Sequence, residues 1–400
     1  MSPAAPKVRA TQRSSCTSLR VATLILLAFA CGAATAATPA KGGVQERMGA
    51  IDAWVHAEMA RQHVPGVALG IRSHGTVIEK GYGLSNVELS TPVRADTVFQ
   101  SGSLGKQFTA VIVMLEVEAG RIGLDDPLSK YFPEAPVSWR SVTVRNLLNH
   151  TSGLADYTEA KVQGKPAIDY RRDYTEEELT RLTYTLPLEF PPGSRWKYSN
   201  TGYLLLGVLI HRTSGHFYGE LLQQKIFAPL GMKSARIISE EDIVANRAAG
   251  YRLVHGQLKN QEWVAPSINT TADGSLYLSV RDYLAWDAGL RAKAMLKPES
   301  WAQVYAAAPL TDGSHYPYGF GWDVQSWHGQ PWYHHSGSWQ GFETFISRYL
   351  ADDLTVIVLT NLGDASPVHI GDGIAHLIDP ALPKAEAEAE AEAEAEAEAE

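Results

Sequence analysis

Residues 99–120 read FQSGSLGKQFTAVIVMLEVEAG, and the apolar run that begins at Leu104 decides where the core of this chain lies. Leu104, Phe108, Val111, Ile112 and Leu115 recur at helical spacing and form one stripe, while Ala110, Val113, Met114 and Val117 cover most of the remainder. A helix apolar on nearly every side is a buried helix. At its mouth Ser103 and Lys106 stand one turn apart on the same side, so a hydroxyl and an ammonium can meet. A lysine whose face continues as Ala110, Val113 and Val117 is either buried with a partner or stretches its head to the surface. Burial lowers a lysine's pKa from about 10.4 toward the range where a neutral amine exists, and such an amine can take the proton of a serine hydroxyl. Ser103, at a helix N-terminus, would also turn its own backbone N–H toward a developing oxyanion. A surface lysine beside an N-capping serine is the other reading of the same residues.

Working outward, Ile51, Trp54, Val55 and Met59 keep helical spacing until Pro65-Gly66 stops the element. VALGI and VIEKGYG, separated by RSHGT, then read as a hairpin. Beyond the central run come short helical stretches, SVTVRNLLNH, TEEELTRLTY, GYLLLGVLIHRTSG and FYGELLQQKIFAPLGM, joined by Pro and Gly turns. After about residue 310 the pattern returns to strands: YGFGWDVQSW, PWYHHSGSW, GFETFISRYL and LTVIVLTN, with Asp352-Asp353 at a hairpin turn. Ser366-Pro367 opens a closing helix over 367–378. Strands at both ends with helices between them predict an α+β fold. One antiparallel sheet is built from the N- and C-terminal segments and flanked by helices, with a mainly helical region inserted.

The two ends carry other signals. Residues 1–20 hold Lys7, Arg9, Arg13 and Arg20 without an acid, residues 21–33 are the apolar VATLILLAFACGA, and Ala34-Thr35-Ala36 offers small residues for cleavage. Residues 1–36 therefore read as an export signal, 37–384 as one domain, and the expected location is periplasmic or secreted. Lipid attachment at Cys31 fits less well, because Phe29 occupies a place where a small residue is expected. Cys16 and Cys31 are the only cysteines, both in the leader, so the mature chain has no thiol for catalysis or metal. The tail AEAEAEAEAEAEAEAE at 385–400 repeats like charges at every i, i+4 pair and reads as solvated low complexity. Its eight glutamates account for most of the net charge of -9; removing them leaves -1, and removing the four leader cations as well leaves -5 for 37–384. No basic cluster suggests nucleic acid. No later stretch approaches the roughly 20 apolar residues of a membrane span.

Two further constellations bear on chemistry. In PPGSRWKYSNTGYLLLG, Tyr198 and Asn200 alternate onto one face of an extended stretch before a helix. A phenol there could shuttle a proton and an amide could bond a substrate carbonyl; a packed tyrosine and a helix cap are the plainer roles. In WYHHSGSWQGF, His335 and Gly337 share a strand face, and the absent side chain at Gly337 lets a ligand backbone come close. The next N–H, that of Ser338, could complete an oxyanion hole with Ser103. Neither GxSxG nor HExxH occurs and the thirteen histidines are scattered, so the pattern calls for no cofactor and no metal. Trp322, Trp327, Trp332 and Trp339, crowded together, leave open a module that stacks on cell-wall sugar, against tryptophans that simply pack a sheet.

The order SxxK, then YxN about 95 residues on, then a basic residue-x-Gly near the C-terminus resembles the penicillin-recognising serine enzymes: class C β-lactamases, DD-peptidases, D-aminopeptidases and related esterases. TPVRADTVFQSGSLGKQFTA, LLNHTSGL, PPGSRWKYSNTGYLLLG and HSGSWQGF extend the likeness over roughly residues 45–380. The resemblance implies a β-lactamase/transpeptidase-like fold, acylation of Ser103, and proton handling by Lys106 and Tyr198. It also implies substrate contacts by Asn200, His335, Ser336 and Gly337, and an oxyanion held by the N–H groups of Ser103 and Ser338. His335-Ser336-Gly337 stands where β-lactamases typically carry Lys-Thr-Gly. A histidine with an ordinary pKa near 6.5 is largely neutral at pH 7 and grips a substrate carboxylate weakly. The expectation is a hydrolase of small esters or short peptides that does not depend on that carboxylate. A D-amino-acid peptidase, a DD-carboxypeptidase and a β-lactamase are the alternatives, and the oligomeric state is left open.

Overall fold

The computed structural model describes residues 43–384. The expected leader with Cys16 and Cys31, and the Ala-Glu tail, lie outside the described residues. The chain begins with helix α1 (Val44–Gln62), strands β1 (Gly66–Ser73) and β2 (Thr76–Asn86), and a two-residue strand β3 (Thr91–Pro92). Helix α2 (Gly105–Glu118) follows, then a stretch of short helices that includes α3 (Asn200–Ser214) and α4 (Val280–Arg291). Strands β4 (Asp323–Trp327), β5 (Gln330–Trp339), β6 (Phe342–Tyr349) and β7 (Leu354–Thr360) and helix α5 (Pro367–Ile378) close it.

Strands β4 to β7 form a meander, and β7 pairs antiparallel with β1, Val67 opposite Thr360. The result is a seven-stranded sheet in the order β4-β5-β6-β7-β1-β2-β3, built from the two ends of the chain as the sequence predicts. Its central strands are covered on both faces. Val67, Leu69, Ile71, Val356 and Val358 face the cluster shared with Val55, Ile370 and Ile374 of α1 and α5. Their alternates Ala68, Ile357 and Leu359 join the larger cluster with Phe108 of α2 and Leu284 of α4. A strand buried on both faces has no polar alternate, which is why these segments read as unbroken apolar runs. Asp287 on α4, fully buried, accepts from Arg348 at 2.9 Å, Arg291 at 2.7 Å and Arg72 at 3.0 Å, so one carboxylate pins α4 to β6 and β1.

Three departures from the sequence pattern have local causes. FYGELLQQKIFAPLGM is not one regular helix: Tyr218–Leu222 gives way to a wide turn over Gln223–Phe227 before Ala228–Leu230. Pro229 lacks the N–H that would continue the ladder, and a widened turn absorbs its ring. YGFGWDVQSW becomes a strand only at Asp323, because Gly321 takes a left-handed conformation at φ 74°. Trp322 and Trp332 are buried, Trp327 donates its indole N–H to the Ala381 carbonyl, and Trp339 donates to Asn269 Oδ1 at 2.6 Å. Trp322 and Trp339 pack with the larger cluster, and Trp327 packs beside Trp332 in the smaller one. Among the described residues no helix is long and apolar enough to cross a membrane.

Candidate active site

A short sheet, Phe99–Gln100 against Leu276–Leu278, delivers the chain to a 3₁₀ turn at Gly102–Leu104, from which α2 runs into the core. Gly102 has φ 51°, and a Cβ there would lie 2.5 Å from the Ser338 nitrogen. A Cβ at Gly337 would fall against the Ser101 carbonyl oxygen and 2.8 Å from the Ser103 nitrogen. Only two facing glycines let the nucleophile turn and β5 approach this closely. The contact brings the backbone around Ser103 against that around Ser338, the two residues expected to hold an oxyanion.

Lys106 is fully buried on the first turn of α2. Its Nζ donates to Asn200 Oδ1 at 2.8 Å, to the Asp273 main-chain oxygen at 2.6 Å, and to Ser103 Oγ at 2.9 Å. The orientation of the Asn200 amide is fixed, because its Nδ2 donates to Asp156 Oδ2 at 2.9 Å. Two of the three partners are thus obligate acceptors. A neutral amine here spends its two hydrogens on them and has its lone pair left facing the Ser103 hydroxyl. Burial pushes Lys106 down to about 8, against the opposing pull of Asp273 and Asp156.

Tyr198 lies beneath the amine, with Nζ 4.8 Å from its ring centroid and the His150 ring 4.2 Å away on the phenol's own stack. Among the described residues its hydroxyl is buried with no well-formed hydrogen bond and only the Ser103 hydroxyl beside it. Desolvation holds it well above its ordinary pKa, offset in part by the nearby Ser103 hydroxyl. An unmatched buried phenol beside a nucleophile is costly unless substrate completes it.

Behind these groups runs a chain of hydrogen bonds the sequence did not reveal. The Ser199 N–H donates to His150 Nδ1 at 3.1 Å, so the His150 hydrogen sits on Nε2, which contacts Tyr318 Oη at 3.2 Å. Tyr318 Oη then donates to His335 Nε2 at 2.8 Å, leaving His335 Nδ1 to donate to the Ser336 carbonyl at 2.5 Å. One backbone donor therefore sets both tautomers. Desolvation and the nearby Lys106 charge push His335 down to about 3, and His150 is held well below its ordinary range, so both rings are neutral. The only hint in the sequence was LLNHTSGL, quoted for its family likeness without a role for His150.

The cleft in front of Ser103 has a volume of about 60 Å³. Tyr157, Ile268 and Trp339 give it apolar walls, and Asn200, Asp273 and Ser338 give it polar ones. The fold thus brings together Ser103, Lys106, Tyr198, Asn200, Gly337 and Ser338. His335, expected at the substrate, is instead turned inward to Tyr318, and exposed Ser336 does not line the cleft. Strand alternation placed His335 and Gly337 on one face correctly, but that face looks into the protein. Among the described residues no lysine or arginine lines the cleft. Among the described residues no three His, Cys, Asp or Glu side chains are grouped to hold a metal.

The family model described as Beta-lactamase matches residues 51–378. Over 313 residues the chain is 29% identical to "Penicillin-binding protein 4*" of Bacillus subtilis, covering 74% of this chain and 68% of that protein. Over 323 residues it is 28% identical to a D-aminopeptidase of Gluconobacter oxydans, covering 80% of this chain and 60% of that one. It is also similar to the solved octameric penicillin-binding protein homologue from Pyrococcus abyssi, at 30% identity and a TM-score of 0.73, covering 84% of this chain and 79% of that chain.

Proposed function

The chain belongs to the β-lactamase family and is a serine hydrolase, and from that premise we propose that it cleaves small esters and amides through an acyl-enzyme on Ser103. The observation that carries this reading is the 2.9 Å contact of Lys106 Nζ with Ser103 Oγ while its other two partners, Asn200 Oδ1 and the Asp273 main-chain oxygen, can only accept. Lys106 takes the hydroxyl proton as Oγ attacks the substrate carbonyl, and the amides of Ser103 and Ser338 receive the oxyanion. Tyr198, kept a neutral phenol by burial, gives its proton to the leaving nitrogen or oxygen and is reprotonated from the Lys106 ammonium. Water then enters by the reverse of the same transfers and releases the acid.

The substrate range follows from charge. With His335 neutral and turned away, and no lysine or arginine on the cleft wall, a substrate carboxylate finds no cation among the described residues except Lys106. This favours an esterase or an aminopeptidase-like amidase over a carboxypeptidase or a penicillin hydrolase. The cationic, apolar and small-residue order of residues 1–36 supports action outside the cytoplasm, which N-terminal sequencing of the mature protein tests. The functional test is a panel of p-nitrophenyl acetate, alanine p-nitroanilide, a D-alanyl-D-alanine peptide and benzylpenicillin. The first two should turn over best, and Ser103→Ala should remove at least a thousandfold of each rate. Penicillin turnover rivalling the ester, or equal rates in Ser103→Ala, would overturn the reading.

A further inference from the structure

We propose that the Asp273 carboxylate is the anchor for a substrate α-ammonium group, so that the preferred acyl donor is an unblocked α-amino acid with a small side chain. This rests on acylation at Ser103. Lys106 is faced by two carboxylates, Asp156 and Asp273. Burial pushes the Asp273 carboxyl above its ordinary value, against the opposing pull of Lys106, and a bound ammonium would favour its charged form.

The two carboxylates are not equivalent. Asp156 is spent: Oδ2 accepts from Asn200 N at 2.8 Å and Nδ2 at 2.9 Å, and Oδ1 accepts from Thr158 N at 2.8 Å and Oγ1 at 2.7 Å. Asp273 accepts from the Tyr157 hydroxyl at Oδ2, 2.9 Å, and the Thr271 hydroxyl, which donates to the Ile268 carbonyl, lies near enough to favour its charged form as well. A carboxylate takes about four donors, so Asp273, which lines the cleft at 9% exposure, keeps acceptor capacity beyond these donors.

Position agrees with charge. The main-chain oxygen of Asp273 holds Lys106, and a Cβ at Gly274 would lie 2.7 Å from the Gly102 oxygen, so this loop is packed directly on the nucleophile turn. In the proposed complex an ammonium one carbon removed from the attacked carbonyl meets this side chain. Size agrees as well. At the roughly 10–15 Å³ that each water requires, the 60 Å³ cleft holds about four to six waters, and alanine amide has six non-hydrogen atoms. Glycyl and alanyl groups fit, whereas a phenylalanyl side chain requires the walls to move.

The experiment compares kcat/KM for alanine p-nitroanilide, its N-acetyl derivative and lactic acid p-nitroanilide, in wild type, Asp273→Asn and Asp273→Glu. Both enantiomers are tried. Wild type should favour the free amine by at least 100-fold over both analogues, Asp273→Asn should bring the ratio to within about threefold of unity, and Asp273→Glu should restore part of it. Because the readout is a ratio within one protein, a general loss of activity from disturbing Lys106 does not mimic it. If Asp273→Asn fails to fold, Asp273→Ser is read in its place by the same ratio. A wild type indifferent to the amine, or a ratio unchanged in Asp273→Asn, overturns the assignment. Loss of all three substrates in Ser103→Ala, alongside either result, shows that the acyl-enzyme reading stands separately.

Discussion

The pH dependence of acylation follows most directly from the burial of Lys106. An ordinary lysine at 10.5 is neutral in roughly one molecule in 3,000 at pH 7, whereas one held at about 8 is neutral in roughly one in eleven. The fold thus raises the population of competent base by roughly 300-fold, at a cost of roughly 3 kcal/mol against the charged form. The sign is fixed: the depressed folded value means the base form gains population as pH rises through 8. A profile of kcat/KM for p-nitrophenyl acetate from pH 5.5 to 10 should therefore climb with unit slope, bend near 8 and level above 9. His335 at about 3, His334 at about 4 and His150, lower than ordinary, add no limb in that window. Glu343, raised by burial to about 7 and bonded to the Ser338 hydroxyl, is the one neighbour that titrates inside it. Glu343→Gln separates the two, since it should leave the bend near 8. Lys106→Arg should lower the whole profile by 10² to 10⁴. A limb centred near 6.5, or a flat profile from pH 6 to 9, would refute the assignment of Lys106 as base.

Three other substitutions probe the scaffold. Gly337→Ala would drive a methyl group against the Ser101 oxygen and 2.6 Å from Thr344 Oγ1, so kcat should fall by about 10² as the Ser338 amide moves off the oxyanion, and thermal unfolding should move by less than about 3 kcal/mol; unchanged kcat would remove β5 from catalysis. Tyr318→Phe strands His150 and His335 without their shared hydroxyl and should cost about 1–3 kcal/mol, with kcat reduced about tenfold and the bend near pH 8 retained; a shifted bend would mean that the relay sets the Lys106 equilibrium. Asp287→Ala leaves Arg72, Arg291 and Arg348 without their carboxylate, and urea unfolding should show a loss of about 3–5 kcal/mol; a loss under 1 kcal/mol would make the ion cluster ornamental.

The parts of this protein legible in its sequence are those governed by local periodicity. The all-round apolar pattern of 104–117 located α2, the runs VALGI and LTVIVLT located the two strands that join the ends of the chain, and Ser366-Pro367 marked the start of α5 to the residue. Ser103 and Lys106 were legible because one helical turn couples them. Asp156, Asp273 and Tyr318 carried no signal, since each acts on a residue distant in the chain: Asp273 lies 167 positions from the lysine its carbonyl holds. The same reason explains His335. Strand alternation gives its face, but only tertiary packing against Tyr318 determines that the face looks inward.

The central claim is that Ser103 becomes covalently acylated, and it is tested most directly by intact and peptide mass spectrometry of protein quenched during turnover of a slow p-nitrophenyl ester. The acyl mass should appear on the peptide that contains Ser103 and vanish in Ser103→Ala. An adduct on another residue, or full turnover in Ser103→Ala, would contradict the account.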